Sequence, residues 1–469
     1  MSFIKTIATY LPEVGGPSQR KLGFKEKIKW TLLILVLFFV LGMVSLFGLG
    51  ANALEQFEFL SLILGAEFGS IISLGIGPLV TASIVIQLLN GSGLVKFDTT
   101  TPEGKKNFQA VQKLAALFFI LFEACIYVFM GGLAPPAQYA GTTLYFWLQI
   151  LIVFQLFIGG MLIMFMDEVV SKWGFGSGIS LFIAAGVAKQ LFIRLFSPFT
   201  TARALGWPFG TEAPVGKIFE LFHSLLTANP TGAALALATI GTTIVIFCVA
   251  VYAQSMKIEI PLSFGRVRGH AIRWPLNFMY TSNIPVILIA ALLANIQLWA
   301  RLLQSWGHPF LGTFVGNSPA TGLVRWLSAP NVLDALIKGT LTGNTIAIAL
   351  FYLVLLMVGA MMFSFFWVQT SGMDAHSQAQ QILKAGLSIP GFRQDPRIME
   401  RILQRYIGPL TVMGGLSIGL LAGLADIMGA LVHGTSLLLS IMIVYRLYED
   451  IAKQHLYDMH PMMRKVMDI

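Results

Sequence analysis

The stretch SIISLGIGPLVTASIVIQLL, residues 70–89, decides how this chain folds. It is apolar enough to lie in a bilayer, yet Gly75, Gly77 and Pro78 interrupt it near its start. Because glycine and proline are the poorest helix formers, we predict a helix break at these three residues. Irregular backbone at membrane depth is tolerated only inside protein or beside water, so the break is expected to face an interior cavity. The alternative is an ordinary kinked span with a surface loop before it.

The composition is that of an integral membrane protein. The chain has 469 residues, of which 56% are hydrophobic and only 11% are charged. Soluble domains carry about 25% charged residues. Apolar runs of about 20 residues, long enough to cross a bilayer, recur along the chain. We predict ten spans, at residues 29–50, 73–93, 107–131, 142–166, 178–196, 233–254, 274–299, 345–369, 406–425 and 428–448.

The charge distribution predicts the orientation of these spans. Lys and Arg are concentrated at both ends of the chain and in the segments after the second, sixth and eighth spans. Such a bias is typical of cytoplasmic segments, so both termini are expected to be cytoplasmic. The external loop after the fifth span, which carries Lys189, Arg194, Arg203 and Lys217, fits this rule least well.

Five regions follow from these assignments. We predict a cytoplasmic interfacial helix and linker at 1–28, an N-terminal half at 29–196 and an external loop at 197–232. A C-terminal half at 233–448 and a cytoplasmic tail at 449–469 complete the chain. Two cytoplasmic loops, at about 255–273 and about 370–405, belong to the C-terminal half.

The two halves share a sequence pattern. IGPLVTASIVIQLL (76–89) and NIPVILIAALLANIQLW (283–299) each have an early proline, then an apolar run, then amides. They open spans two and seven, the same position in two halves of five spans. Two halves with an odd number of spans run in opposite directions, which indicates an inverted repeat of the kind found in transport proteins.

Glu123 is the only carboxylate in the middle of a predicted span. An ionisable group there is costly and is expected to face the bundle interior. Its expected partners are Thr81 and Asn295, which also lie within spans. The alternatives are that these polar residues only hold helices together, or that Glu123 belongs to a proton relay.

Four motifs resemble the SecY family, whose members form the central subunit of the Sec protein-conducting channel. They are LGIGPLVTASIVIQLLNGSG, DEVVSKWGFGSGISLFIAAGV, YTSNIPVILIAALLANIQLW and the GFR that ends at Arg393. LPEV followed by FKEKIKW near the N-terminus is similar to the archaeal and eukaryotic branch. The resemblance runs from about Leu11 to the C-terminal tail.

The resemblance implies an all-α membrane protein. Ten transmembrane helices would form two inverted five-helix halves around an hourglass pore, with a short re-entrant plug helix at about 54–68. The segment FEFLSLIL matches the plug, through Phe57, Phe59, Leu60, Leu62, Ile63 and Leu64. It is too short to span a membrane.

The resemblance also implies a ring of aliphatic side chains at the waist of the pore. The matching residues are Ile76, Val80, Ile179, Ile183, Ile287 and Leu439. An apolar ring offers no hydrogen bonds to a passing polypeptide and excludes water and ions by dewetting. The alternative for each of these residues is an ordinary position in the helix core or against lipid.

Further roles and partners come from the same resemblance. Thr81, Glu123 and Asn295 match a polar cluster at a lateral gate, where signal sequences leave for lipid. Arg266, Arg268, Arg393 and Arg405 match ribosome-binding positions, although arginines there could simply enforce topology. The implied partners are SecE and Sec-beta subunits, the ribosome, nascent polypeptides with signal sequences, and membrane lipid. RNA contact would be limited to ribosomal phosphates.

The expected function is a gated protein-conducting channel of the cell membrane, driven by the docked ribosome. A secondary transporter for a small solute or ion is the alternative, and an intramembrane enzyme is a third class. The chain shows no Walker A motif, no GxSxG and no metal-spaced histidine pair. We therefore expect no catalytic residues, no metal site and no cofactor.

Overall fold

The computed structural model describes most of the chain. The described residues are 12–17, 22–52, 67–91, 102–200, 213–264, 271–281, 284–305, 307–315, 318–384, 386–388 and 395–459.

Ten helices of 15 residues or more lie within the described residues, one at each predicted span. They are α1 (Phe24–Met43), α2 (Gly77–Gly91), α3 (Pro102–Phe129), α4 (Thr143–Trp173), α5 (Gly178–Phe196), α7 (Pro230–Ser255), α8 (Ile284–Ser305), α11 (Gly343–Thr370), α13 (Pro396–Ile427) and α14 (Gly434–Met459). Six of them, α3, α4, α5, α7, α11 and α13, are long and apolar enough by length and composition to cross a membrane. The all-α fold class is thus confirmed.

Shorter elements connect the long helices. They are α6 (Lys217–Leu226), α9 (Leu323–Trp326), α10 (Val332–Ile337) and α12 (Ala375–Lys384), with strands β1 (Ala51–Asn52), β2 (Leu133–Ala134), β3 (Lys257–Phe264), β4 (Ala271–Asn277), β5 (Phe314–Val315), β6 (Ser318–Pro319) and β7 (Leu387–Ser388).

Local signals explain where several helices begin. The side chains of Asn229, Thr342 and Asp395 accept backbone N–H bonds at the starts of α7, α11 and α13. Such caps satisfy N–H groups that have no partner inside the helix. Proline occupies the first turn of α7 and α13, where its missing N–H costs nothing.

The seventh span begins later than predicted. Helix α8 starts at Ile284, and Trp274 lies in β4, where it is the register partner of Ile260 in β3. The apolar run before residue 284 was wrongly assigned to the span, because a short apolar run does not by itself distinguish a strand from a helix.

The ninth and tenth spans also differ from their predicted bounds. Helix α13 begins at Pro396, ten residues before the predicted span, so Arg405 lies in a helix and not in a loop. Helix α14 begins at Gly434 and continues to Met459, into the predicted tail. Hydropathy marks only the part of a helix that is apolar, and both helices extend into polar sequence that forms helix equally well.

The chain divides into two compact units. One unit comprises Met1–Gly186 and Ile443–Ile469, and the other comprises Val187–Met442. In the first unit, α1 packs on α5 through stacked Phe38 and Phe182 rings, whose centroids are 4.7 Å apart. In the second unit, α7, α8, α11, α13 and the start of α14 share one buried apolar core.

A three-stranded sheet with the order β4-β3-β7 belongs to the second unit. Strands β3 and β4 form an antiparallel hairpin from Lys257↔Asn277 to Ser263↔Ala271. Strand β7 joins the other edge of β3 through Ser263↔Ser388 and Phe264↔Leu387. A second apolar core, which includes Leu262, Leu276, Ile382, Met399 and Leu403, packs this sheet against α12 and the start of α13. We call the sheet, α12 and residues 396–410 of α13 the sheet module.

Candidate functional site

The break in the second span lies just before α2. Residues 71–76 form consecutive turns, Gly75 has a positive φ of 55°, and the regular helix begins at Gly77 with Pro78 as its second residue. Glycine adopts a positive φ without the steric cost that a side chain brings. The conformation of Gly75 interrupts regular helix geometry two residues before α2 begins.

The segment before α2 is buried although it is not helical. Ile72, Leu74 and Ile76 are fully buried, and backbone groups pair with the chain that follows α1. The Ile71 N–H donates to the Val44 carbonyl at 2.9 Å, and the Leu46 N–H donates to the Gly69 carbonyl at 3.0 Å. These bonds replace those that a continuous helix would make, which is the condition for irregular backbone inside a membrane protein.

A glycine of α4 makes room for this segment. A Cβ placed on Gly159 would lie 1.8 Å from the carbonyl oxygen of Ile71, and one on Gly160 would lie 2.6 Å from Ile120 of α3. Both distances are far below contact distance, so α4 approaches the broken segment and α3 only because these two residues have no side chain.

Helices α2 and α8 begin alike, as the sequence repeat predicts. Each has proline as its second residue, Pro78 in α2 and Pro285 in α8. Val80 and Ile287, two of the predicted ring residues, are the fourth residues of these helices. The repeat is therefore present in the local structure of the two helices.

The six predicted ring residues lie at or near the starts of four helices. Ile76 (1% exposed), Ile183 (2%) and Leu439 (2%) are buried within protein, so these three do not face lipid. The other three, Val80, Ile179 and Ile287, are half-buried. Ile76 and Val80 are joined across the break, since the Val80 N–H donates to the Ile76 carbonyl at 3.0 Å.

The structure brings together two of the three predicted gate residues. The Glu123 carboxyl of α3 lies beside Thr81 of α2. The Thr81 hydroxyl also lies 2.9 Å from the Gly77 carbonyl, to which it donates. Asn295 is in α8, and its side chain lies outside the described part of the structure.

Several predicted residues fall outside the described residues. These are the plug residues Phe57, Phe59, Leu60, Leu62, Ile63 and Leu64, and the arginines Arg266, Arg268 and Arg393. Arg405 is described and is exposed on α13, on the same helix face as the exposed Arg397 and Arg401.

Sequence reasoning did not find the sheet module. It predicted two separate loops, and the structure joins them, because Phe264 from one segment pairs with Leu387 from the other. The alternation of charged and apolar residues in KIEIPLSF was the available signal for a strand. No local signal identifies its partner strand β7.

The docking of the N-terminal segment was also missed. The Val14 N–H donates to Glu168 at 2.9 Å, Lys172 pairs with Glu13 at 2.6 Å, and Lys113 pairs with Glu168. The hydrogen bond and charge of Lys172 hold the pKa of Glu13 below its usual value. The segment 12–17 thereby links Lys113 of α3 to the last turns of α4.

Comparison with protein families identifies this architecture. The SecY family model matches residues 70–448 of the chain. The protein translocase subunit SecY of Methanothermobacter thermautotrophicus is 44% identical over 97% of this chain and 96% of its own length. The SecY subunit of Pyrococcus horikoshii is 40% identical over 99% of this chain and 98% of its own length.

Solved structures are similar over the same extent. A structure described as that of a protein-conducting channel has a TM-score of 0.78 and 38% identity, and covers 97% of this chain and 98% of its own. Sec61 in the canine ribosome-channel complex from the endoplasmic reticulum has a TM-score of 0.76 and 37% identity, with the same coverage.

These similarities decide between the function classes. The relatives are protein translocase subunits and the solved structures are protein-conducting channels, so the small-solute transporter alternative is dropped. With its family match, its near-complete overlap with these relatives and its multi-pass helical fold, the chain belongs to the SecY family and is a protein-conducting channel subunit.

Proposed function

We propose that the polypeptide path is sealed by the aliphatic ring of Ile76, Val80, Ile179, Ile183, Ile287 and Leu439. The observation that carries this proposal is the pair of equivalent helix starts, where Val80 and Ile287 hold the same position in α2 and α8. The burial of Ile76, Ile183 and Leu439 supports it further. Aliphatic side chains without hydrogen-bonding groups let any sequence pass and resist wetting when the channel rests.

The break before α2 also supports a plug at residues 57–64. Residues 57–64 precede a buried, turn-rich segment that is bonded to the chain after α1. A short segment before such an anchor is able to leave the pore while the anchor stays in place. A related solved structure is described as showing that the plug domain of SecY stabilises the closed state and maintains a membrane seal.

A lateral gate is part of the same proposal. Thr81 of α2 lies beside Glu123 of α3, and Asn295 of α8 would be the third polar residue of a cluster whose hydrogen bonds hold the seam closed. A signal-sequence helix that enters the seam would break such bonds, and burial of its apolar surface would offset their loss. Hydrogen bonds between membrane helices contribute about 0.6–2 kcal/mol each, which is weak enough for a reversible gate.

The sheet module is the proposed ribosome-binding surface. It joins the segments that carry Arg266, Arg268 and Arg393, and Arg405 is exposed on its helix α13. Arginine binds phosphate through its planar guanidinium, so the contact would be salt-dependent and independent of RNA sequence. The similarity to Sec61 in a ribosome-channel complex supports this assignment.

The remaining parts of the proposal concern the environment. The channel would lie in the cell membrane with both termini in the cytoplasm, and SecE and Sec-beta subunits would accompany it. It would perform no catalysis, and the energy for transport would come from the translating ribosome or a separate motor.

Crosslinking tests the proposed path directly. A photoreactive residue is placed at Ile183 or at Ile287, and a stalled secretory chain is translated with membranes that contain the variant. The control position is Ile193 of α5, which is 44% exposed. Crosslinks from the two ring positions and none from Ile193 support the ring. Ribosome binding without crosslinks from either ring position rejects it.

A further inference from the structure

Two aspartates accept backbone hydrogen bonds at the starts of two helices that carry ring residues. Each aspartate belongs to the preceding long helix. Asp167 of α4 accepts the Ile179 N–H at 3.0 Å, at the start of α5. Asp426 of α13 accepts the Gly434 N–H at 2.6 Å, at the start of α14. We call Asp167 and Asp426 the capping aspartates.

The two arrangements share two features, although Asp426 also lies 3.5 Å from the ring nitrogen Nδ1 of His433. A hydroxyl group also donates to each carboxyl, from Ser177 to Asp167 at 3.3 Å and from Tyr352 to Asp426 at 2.9 Å. Glycine is the first residue of both capped helices, Gly178 in α5 and Gly434 in α14.

The glycines allow the close approach that these bonds require. A Cβ on Gly178 would lie 2.6 Å from the Cα of Asp167. A Cβ on Gly434 would lie 2.3 Å from the Ala422 carbonyl oxygen of α13. No side chain fits at either position, so each capped helix begins in direct contact with the helix that carries its aspartate.

Other long helices are capped in a different way. Asn229, Thr342 and Asp395 each cap the helix that directly follows them in sequence, which fixes only the local turn. A cap from another helix fixes the position of one helix start relative to its neighbour. In α5 the capped residue Ile179 is itself a ring residue, and in α14 Leu439 follows Gly434 by little more than one turn.

The two positions also correspond in the repeat. Asp167 lies near the end of the fourth long helix of the chain, and Asp426 lies near the end of the ninth. In an inverted repeat, corresponding links lie at opposite membrane faces.

We infer that Asp167 and Asp426 are positioning residues that set the ring side chains of α5 and α14 at the height and rotation needed for the resting seal. This inference rests on the proposed ring. The aspartates act through the helix starts and do not touch the polypeptide that passes.

The test compares two readouts in purified full-length channel complex. The variants are Asp167→Ala and Asp426→Ala, with Asp167→Asn and Asp426→Asn as rescues, since an asparagine oxygen also accepts an N–H bond. Asn229→Ala is the control, because it removes a cap from α7, which carries no ring residue. The readouts are hydrogen exchange at the first turns of α5 and α14 and resting ion conductance in planar bilayers.

We expect each alanine variant to accelerate exchange at its own helix start about fivefold, as loss of a cap does, and to raise the resting conductance. The asparagine variants should behave as wild type in both readouts. Asn229→Ala should accelerate exchange in α7 alone and leave conductance unchanged.

Two outcomes overturn the inference. One is unchanged exchange at both helix starts in the alanine variants, and the other is faster exchange with unchanged conductance. Ile183→Ser, measured in parallel, separates this failure from failure of the ring. If Ile183→Ser leaks and the alanine variants do not, the aspartates do not position the ring. If Ile183→Ser does not leak, the ring proposal fails and the inference falls with it.

Discussion

Phe264 and Leu387 are register partners in one sheet, although they come from the segments after the sixth and the eighth long helices. The pairing makes one folded module of two segments that the chain separates widely. Any surface that both segments form together therefore exists only while the module is folded.

Leu262→Ala is expected to weaken ribosome binding without changing any charge. Leu262 is 1% exposed in the core of the sheet module, so its truncation should destabilise the module by about 2–5 kcal/mol. The measurement is ribosome co-sedimentation at several salt concentrations. Ile258→Ala is the matched control, because Ile258 lies on the same strand and is 39% exposed. Equal binding by both variants would show that the module fold does not matter for docking.

Ile183→Ser should raise the resting ion conductance of reconstituted channels. A hydroxyl in the ring favours water where an aliphatic side chain excludes it. Ile193→Ser on the same helix is the control, since Ile193 is 44% exposed and is not a ring residue. Single-channel recording in planar bilayers separates the two variants. A leak from Ile193→Ser as large as that from Ile183→Ser would argue against a defined ring.

Deletion of residues 57–64 should leave the channel folded and make it leak at rest. The segment from Glu67 to Ile76 has its own bonds to the chain after α1, so the helix break does not depend on the deleted residues. The measurement is conductance together with the thermal unfolding midpoint. An intact midpoint with wild-type conductance would count against the plug assignment.

Gly159→Ala should destabilise the channel by about 3 kcal/mol or more, because the new methyl group would meet the Ile71 carbonyl oxygen and force backbone to move. Thermal unfolding followed by intrinsic fluorescence measures the effect. Gly241→Ala in α7 is the control, since a Cβ there meets nothing within 4 Å and alanine favours helix. Similar midpoints for the two variants would disprove the close packing at Gly159.

The ion pair of His376 and Glu400 should make the sheet module more stable in mild acid. The hydrogen bond and charge of Glu400, with Asp374 nearby, raise the pKa of His376 above its usual value of 6.5. Protonated His376 is therefore favoured in the folded module. Its stabilisation is complete below the unfolded pKa and is lost as pH rises through the higher folded pKa.

Glu400→Gln tests this pH dependence. The unfolding midpoints of wild type and Glu400→Gln should differ at pH of about 5–6 and converge in mild base. His376→Gln should remove the same dependence. A difference that is constant across this pH range would mean that Glu400 acts independently of His376.

Much of the fold was predictable because its signals are local. The apolar runs located a helix at each of the ten predicted spans, and Gly75, Gly77 and Pro78 located the start of α2. The lone carboxylate Glu123 pointed to Thr81, which the structure places beside it. Length, hydropathy and helix-breaking residues act within one segment, so they can be read without knowing what packs against it.

Tertiary structure alone decided the relationships between segments. No single stretch of sequence predicts which distant residues meet. Examples are the pairing of Phe264 with Leu387, the contact of Gly159 with Ile71, and the hydrogen bonds that Asp167 and Asp426 accept from neighbouring helix starts. Trp274 is a further example. Its apolar neighbours are compatible with a helix, and only its pairing with Ile260 of β3 shows that it lies in a strand. The sequence by itself determined which segments are helical and apolar, since each residue's transfer to lipid depends on its own side chain. Which backbone groups and side chains meet depends on packing among all the helices at once, and that is settled only in the folded chain.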